Sequence, residues 1–186
     1  MTQAFLGYPR HDGKVGVRNH VLVVPTVICA AVVAERIAAS IAPIGAALPH
    51  LAGCGQLGPD LHITHDTLAA YTRHPNVGAV IVVALGCEQV VAQYLADTAR
   101  QAGKTAQIVS IQGEGGTVRA TSRGIEIARA LAADLDRAER VWSPASSLVL
   151  SVKCGGSDYT SGLASNPVVG RVADMLVDMG GAVVLG

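Results

Sequence analysis

The sequence predicts an α/β fold: an open, mostly parallel sheet of five to six strands with helices on both faces. Three observations lead there. Short runs rich in Val and Ile alternate with longer Ala-rich stretches along all 186 residues, and regular β-α alternation makes parallel strands joined by right-handed crossovers. The strongest run, GAVIVVALG over 78–86, is apolar throughout, as a strand buried on both faces must be. The chain holds 29 Ala, 25 Val and 21 Gly but only six aromatic residues. Its core must therefore be built from small side chains and close backbone approach.

The elements follow in order. Residues 20–27 (HVLVVPTV) form a first strand and 30–41 an Ala-rich helix. A weaker strand at 46–51 (AALPHL) leads into the Gly-rich GCGQLG. A helix then starts at Pro59, where proline's missing N–H would have had no partner anyway, and runs to about Arg73. The 78–86 strand precedes a helix from Glu88 to about Ala102, ended by Gly103. Next come a strand at 106–111 and a helix from Thr117 to about Arg140, in which Ile125, Ala128, Leu131, Ala132 and Leu135 share a face. WSPASS reads as a turn-rich break. A strand at 148–153, a helix from Pro167 to Met179 and the apolar AVVLG complete the pattern. Residues 1–19 form a polar leader and 20–186 one domain. AVVLG stops in mid-strand, so the domain is expected to be a fragment of a longer chain.

Composition excludes several functions. Fourteen Lys plus Arg balance fourteen Asp plus Glu, which leaves no basic field for nucleic acid, and the scarcity of aromatics leaves little to stack bases on. The longest uncharged apolar stretch, Val77 to Cys87, is eleven residues, short of the roughly 20 that a spanning helix needs. The N-terminal MTQAFLGYPRHDGK has no signal-peptide core. Four Cys without a CxxC pair are not a disulfide framework. A cytoplasmic protein with reduced thiols and a small-molecule or protein partner is expected.

Ligands of open α/β sheets bind beyond the carboxyl ends of the strands, and all four cysteines follow predicted strands there. Cys29 lies inside the apolar VICAAVVA and reads as a small buried hydrophobe. Cys54, Cys87 and Cys154 instead sit in GCGQ, GCEQ and KCGGSD, where three converging thiols would suit iron, another thiophilic metal or an iron–sulfur cluster. His50 ends a strand four residues before Cys54. GEGGT, Gly113 to Thr117, ends one strand and opens a helix, with Thr117 as its N-cap and Gly115 and Gly116 beside it, an arrangement that favours an anion. GGSD, with Ser157, repeats the idea after the next strand. His11 and Asp12 lie in a polar N-terminal stretch where Arg10, Lys14 and Arg18 supply positive charge and an Arg would clamp a carboxylate. Ordinary turn chemistry and solvated faces are the competing readings of these segments. No dinucleotide fingerprint starts at Gly113, because Val118 occupies its last glycine position; a P-loop ending at Lys104 and Thr105 fails at Thr98. Neither NAD nor ATP is expected.

Taken together, GYPRHDGKVGVRNHVLVVPTVIC, GCGQ, LGCE, IQGEGGT and KCGGSDYTSGLASNPVVG resemble the altronate dehydratase and galactarate dehydratase family, which also includes the large subunit of sulfolactate sulfo-lyase. The likeness runs from Gly7 to the end of the chain. It implies a Rossmann-like central domain of a lyase that uses iron(II) or another divalent metal on a hydroxylated sugar acid, a small-molecule carboxylate. It also implies a small SAF-type domain or subunit as partner, a further C-terminal domain, and assembly as a homo-oligomer. The isolated chain is then expected to be inactive.

In the reaction that the resemblance implies, a base removes the proton α to the carboxylate and a β-hydroxyl leaves as water, or a β-sulfonate as sulfite. Metal and N–H dipoles stabilise the developing enolate. Cys54, Cys87 and Cys154 are the candidate metal residues, followed by His50 and Glu88. Gly115, Gly116, Thr117, Ser157 and Arg18 are the candidate substrate contacts, and Lys153 or His11 the base. A non-catalytic ligand-binding or subunit-assembly module is the alternative of another class.

Overall fold

The computed structural model describes residues 3–186. In chain order it contains β1 (Ala4–Pro9), β2 (Val15–Gly16), β3 (His20–Pro25), α1 (Ala31–Ala39), β4 (Gly45–Ala47), α2 (Pro59–Arg73) and β5 (Val77–Ala84). There follow α3 (Ala92–Gln101), β6 (Thr105–Ser110), α4 (Thr117–Asp136), β7 (Val141–Pro144), β8 (Val149–Val152), α5 (Asn166–Asp178) and β9 (Ala182–Leu185). The described residues divide into two compact units, one of residues 10–139 and one joining 3–9 to 140–186.

The larger unit is a parallel sheet in the order β4-β3-β5-β6, flanked by helices as the alternation predicts. Strand residues point alternately to its two faces. Val21, Val23, Ala79, Ile81 and Val83 pack with Ala34 and Ile37 of α1 and with Ala120, Ala128 and Leu131 of α4. Leu22, Val24, Val80 and Val82 pack on the opposite face with Leu68 of α2 and with Leu95, Ala96 and Ala99 of α3. Apolar character on both faces explains why β3 and β5 read as unbroken hydrophobic runs. The result is a three-layer α/β sandwich.

Topology fixes where a ligand belongs. After β3 the chain crosses to the face of α1, and after β5 to the face of α3. β3 and β5 are neighbours, so the carboxyl ends of these two strands flank the switch point where open α/β sheets form their crevice.

The smaller unit pairs β1 antiparallel with β7 and β8 parallel with β9. Two expectations change here. WSP of the WSPASS segment is strand, because Ala4 to Leu6, at the other end of the chain, supply it with a hydrogen-bonding partner. The strand at 148–153 and the closing AVVLG pair with each other, so the main sheet has four strands. No helix among the described residues is long and apolar enough to cross a membrane.

Candidate functional site

Four loops meet at the carboxyl edge of the larger unit, and backbone hydrogen bonds tie them together. After β3, Ile28 N donates to Ala52 O at 3.2 Å. Gln89 N, in the loop after β5, donates to Gly53 O at 3.4 Å. In the turn after β6, Gln112 N donates to Leu85 O at 3.0 Å. Gly53 is buried at φ +98°, and a Cβ there would overlap the carbonyl oxygen of Thr26, so this approach of the loop to β3 requires glycine.

Three thiols ride on these tied loops. Cys29, Cys54 and Cys87 are free and exposed, each within two residues of an interloop hydrogen bond. Cys29 is the one that the sequence misjudged. The apolar letters around it belong to alternating sides of a short helical turn, Ile28–Ala30, which buries Ala30 and leaves Cys29 outside. Its position directly after β3, the central strand of the edge, was the available signal.

Glu88 and His50 act on the protein itself. Oε1 of Glu88 accepts from Thr26 Oγ1 at 2.6 Å and from Leu85 N at 3.1 Å, while Oε2 accepts from Gly86 N at 2.6 Å. Partial burial works to raise the carboxyl pKa. The hydrogen bonds from Thr26 and the turn amides outweigh it, so the group stays below the usual carboxylate range. These contacts hold Glu88 in the loop, and α3 therefore begins at Ala92 rather than at Glu88. Nδ1 of His50 accepts from Ala52 N at 3.2 Å, which leaves Nε2 to donate to Pro25 O at 2.8 Å. Among the described residues, no three His, Cys, Asp or Glu side chains surround a point where a metal ion would sit. They do not by themselves form a metal cage.

The glycine-rich turn is built differently from its sequence reading. Gly115 N donates to Gln112 O and Gly116 N to Ile111 O, so these amides close the turn rather than face a ligand. The N-cap of α4 is Gly116, without a side-chain cap, and Thr117 is the first helical residue. The amides that α4 cannot satisfy internally are those of its first turn, Thr117, Val118 and Arg119.

His11 and Arg18 lie at the other end of the sheet. Arg18 N donates to Asn76 Oδ1 at 3.2 Å, in the turn that enters β5. A Cβ on Gly103, two residues before β6, would meet the His11 side chain at 2.6 Å. Both residues therefore sit at the amino edge, a strand of eight residues away from Cys87, or about 26 Å at 3.3 Å per residue. The expectation that they join Gly115–Thr117 in one site is corrected. Residues just ahead of a strand in a parallel sheet must lie at its amino end.

In the smaller unit, Lys153, Cys154 and Ser157 occupy the exposed loop after β8. Cys154 Sγ lies 3.5 Å from Ser157 Oγ. That hydrogen bond, followed by one from the Gly156 backbone, holds the thiol below its ordinary pKa. Asp158 accepts from both the backbone N and the Oγ1 of Thr160, at 2.7 and 2.6 Å. The carboxylate organises its own turn.

The larger unit is thus a parallel α/β domain whose switch-point edge carries three exposed thiols and a held carboxylate. Comparison with known sequences gives the family. The chain belongs to the D-galactarate dehydratase/altronate hydrolase family: residues 7–136 match the family's second domain, and 145–186 match the C-terminal part of D-galactarate/altronate dehydratase. It is 35% identical over 199 residues to altronate dehydratase of Bacillus subtilis (strain 168), covering 99% of this chain and 38% of that protein. Identity is 38% over 186 residues to the (2R)-sulfolactate sulfo-lyase subunit beta of Chromohalobacter salexigens, covering 99% of this chain and 46% of that one. Galactarate dehydratase (L-threo-forming) of Escherichia coli (strain K12) is 32% identical over 198 residues, covering 96% and 38%. The chain spans less than half the length of these relatives. The two family matches meet between 136 and 145, where the chain also divides into its two units.

Proposed function

We propose that this chain supplies the switch-point domain of a lyase that eliminates water from a hydroxylated sugar acid. The observation that carries the reading is its membership of a family whose named relatives are altronate and galactarate dehydratases. The tied carboxyl edge is where that chemistry belongs in an α/β sheet.

The first-turn amides of α4 hold the substrate carboxylate, with the positive end of the helix dipole behind them. As the α-proton leaves, negative charge grows on that carboxylate and the same amides bind it more strongly. The β-hydroxyl then departs as water. The base that takes the α-proton returns a proton to the departing hydroxyl.

The test is an anaerobic assay of a protein containing this chain, supplied with iron(II) and given altronate, galactarate or another sugar acid. The product to follow is the 2-keto-3-deoxy acid. Its formation from at least one sugar acid is expected; no turnover on any of them overturns the reading. A second reading follows from the 38% identity to the sulfo-lyase subunit: release of sulfite from sulfolactate in the same assay would replace the hydro-lyase assignment.

A further inference from the structure

The turn Leu85–Glu88 is fixed from two sides at the switch point. On one side Gln112 N, in the turn after β6, donates to Leu85 O at 3.0 Å. On the other side the Glu88 carboxylate gathers donors from both strands of the crevice. Thr26 follows β3 and is fully buried; Leu85 and Gly86 follow β5. All three groups donate, two of them at 2.6 Å. Leu85 N and Gly86 N can only donate and reach different oxygens, so an amide side chain would turn its N–H₂ towards one of them.

From this geometry we propose that Glu88 is a positioning residue that brackets the Cys87 turn to the end of β3, and that it is not a ligand to metal or substrate. The bracket explains why the turn carrying Cys87 stays in register with the neighbouring loop of Cys54, through Gln89 N and Gly53 O. It deepens the proposed lyase reading, since it rests on the carboxyl edge being the ligand edge. Its evidence, however, is independent of turnover.

The experiment is amide hydrogen exchange on the 186-residue chain without metal or substrate, combined with iodoacetamide labelling of Cys87. Gly86 is exposed, so its protection comes from Glu88. In Glu88→Gln and Thr26→Val, exchange at Gly86 is expected to quicken about tenfold or more, the factor that corresponds to losing one hydrogen bond of about 1.4 kcal/mol. Labelling of Cys87 should change while that of Cys154, in the other unit, stays as it was. Thr26→Ser keeps the hydroxyl and should keep near-normal protection. Slow exchange at Ile81 certifies that each variant is folded; if Glu88→Gln fails this check, the two Thr26 variants decide. Exchange at Gly86 within twofold of the parent in the folded variants overturns the bracket, and if Glu88→Gln has meanwhile lost lyase activity, Glu88 is a ligand. A bracket confirmed in a protein inactive on every sugar acid would overturn the lyase reading alone.

Discussion

Gly124 of α4 lies where a Cβ would overlap the terminal methyl of Ile37 in α1. Two helices on one face of the sheet thus touch backbone to side chain, with Ile37 fully buried between them. Gly124→Ala gains up to about 1 kcal/mol of helix propensity but forces the helices apart, at about 1–3 kcal/mol. A net loss of up to about 2 kcal/mol is expected in urea melts. Ile37→Ala removes the atoms that the new methyl would meet, and in that background Gly124→Ala should cost less than half of what it costs in the parent. Strict additivity of the two changes would show that they do not touch.

Gly53→Ala should cost about 1–3 kcal/mol. The new methyl would meet the Thr26 carbonyl, and the residue would be held at φ +98°. Thermal melts measure the loss. Faster exchange at Gln89, whose N–H is held by Gly53 O, should accompany it.

Lys104 is buried, and its Nζ donates to the carbonyls of Thr72 and His74 at 2.8 and 2.6 Å, closing the end of α2. Burial, then the charge of Arg10, brings its pKa from the ordinary 10.5 down to about 8. The unfolded chain therefore holds this proton more tightly than the folded one. Stability from this group is flat below pH 8 and rises between about pH 8 and 10.5. The unfolding free energy of the parent minus that of Lys104→Met should rise across this window, and a difference that stays level or falls refutes the linkage.

Ser157→Ala removes the first support of the Cys154 thiolate. Iodoacetamide labelling of Cys154 at neutral pH should slow a few-fold, since the thiolate is the reacting form. Labelling of Cys54 is the internal reference. Equal rates for Cys154 with and without the hydroxyl would remove Ser157 from its environment.

Much of the larger unit was readable from local signals. Pro59 at the first turn of α2 and Arg73 at its last are where periodicity and proline placed them, and Ala128 and Leu131 face the core as the spacing of α4 predicts. What escaped was set by partners far along the chain. β7 is a strand because of β1. Glu88 stays outside α3 because Thr26, 62 residues earlier, takes its carboxylate. Cys29 looked buried because neighbouring letters cannot say which side of a single turn faces out. The amides of Gly115 and Gly116 looked free because composition does not reveal that a turn closes on itself.

At the amino edge one guanidinium staples three segments: Arg10 donates to Pro75 O at 2.6 Å, to Arg18 O at 3.1 Å and to Asn19 Oδ1 at 2.9 Å. With the bonds from Lys104 to Thr72 O and His74 O, these contacts tie the amino edge a full strand length from Cys87. The domain is in that sense divided into a foundation and a workbench. Variation at the foundation can raise or lower heat tolerance a strand length away from the carboxyl edge, whereas the loops of the workbench can diverge only where Gly53 and the hydrogen bonds that tie them are spared.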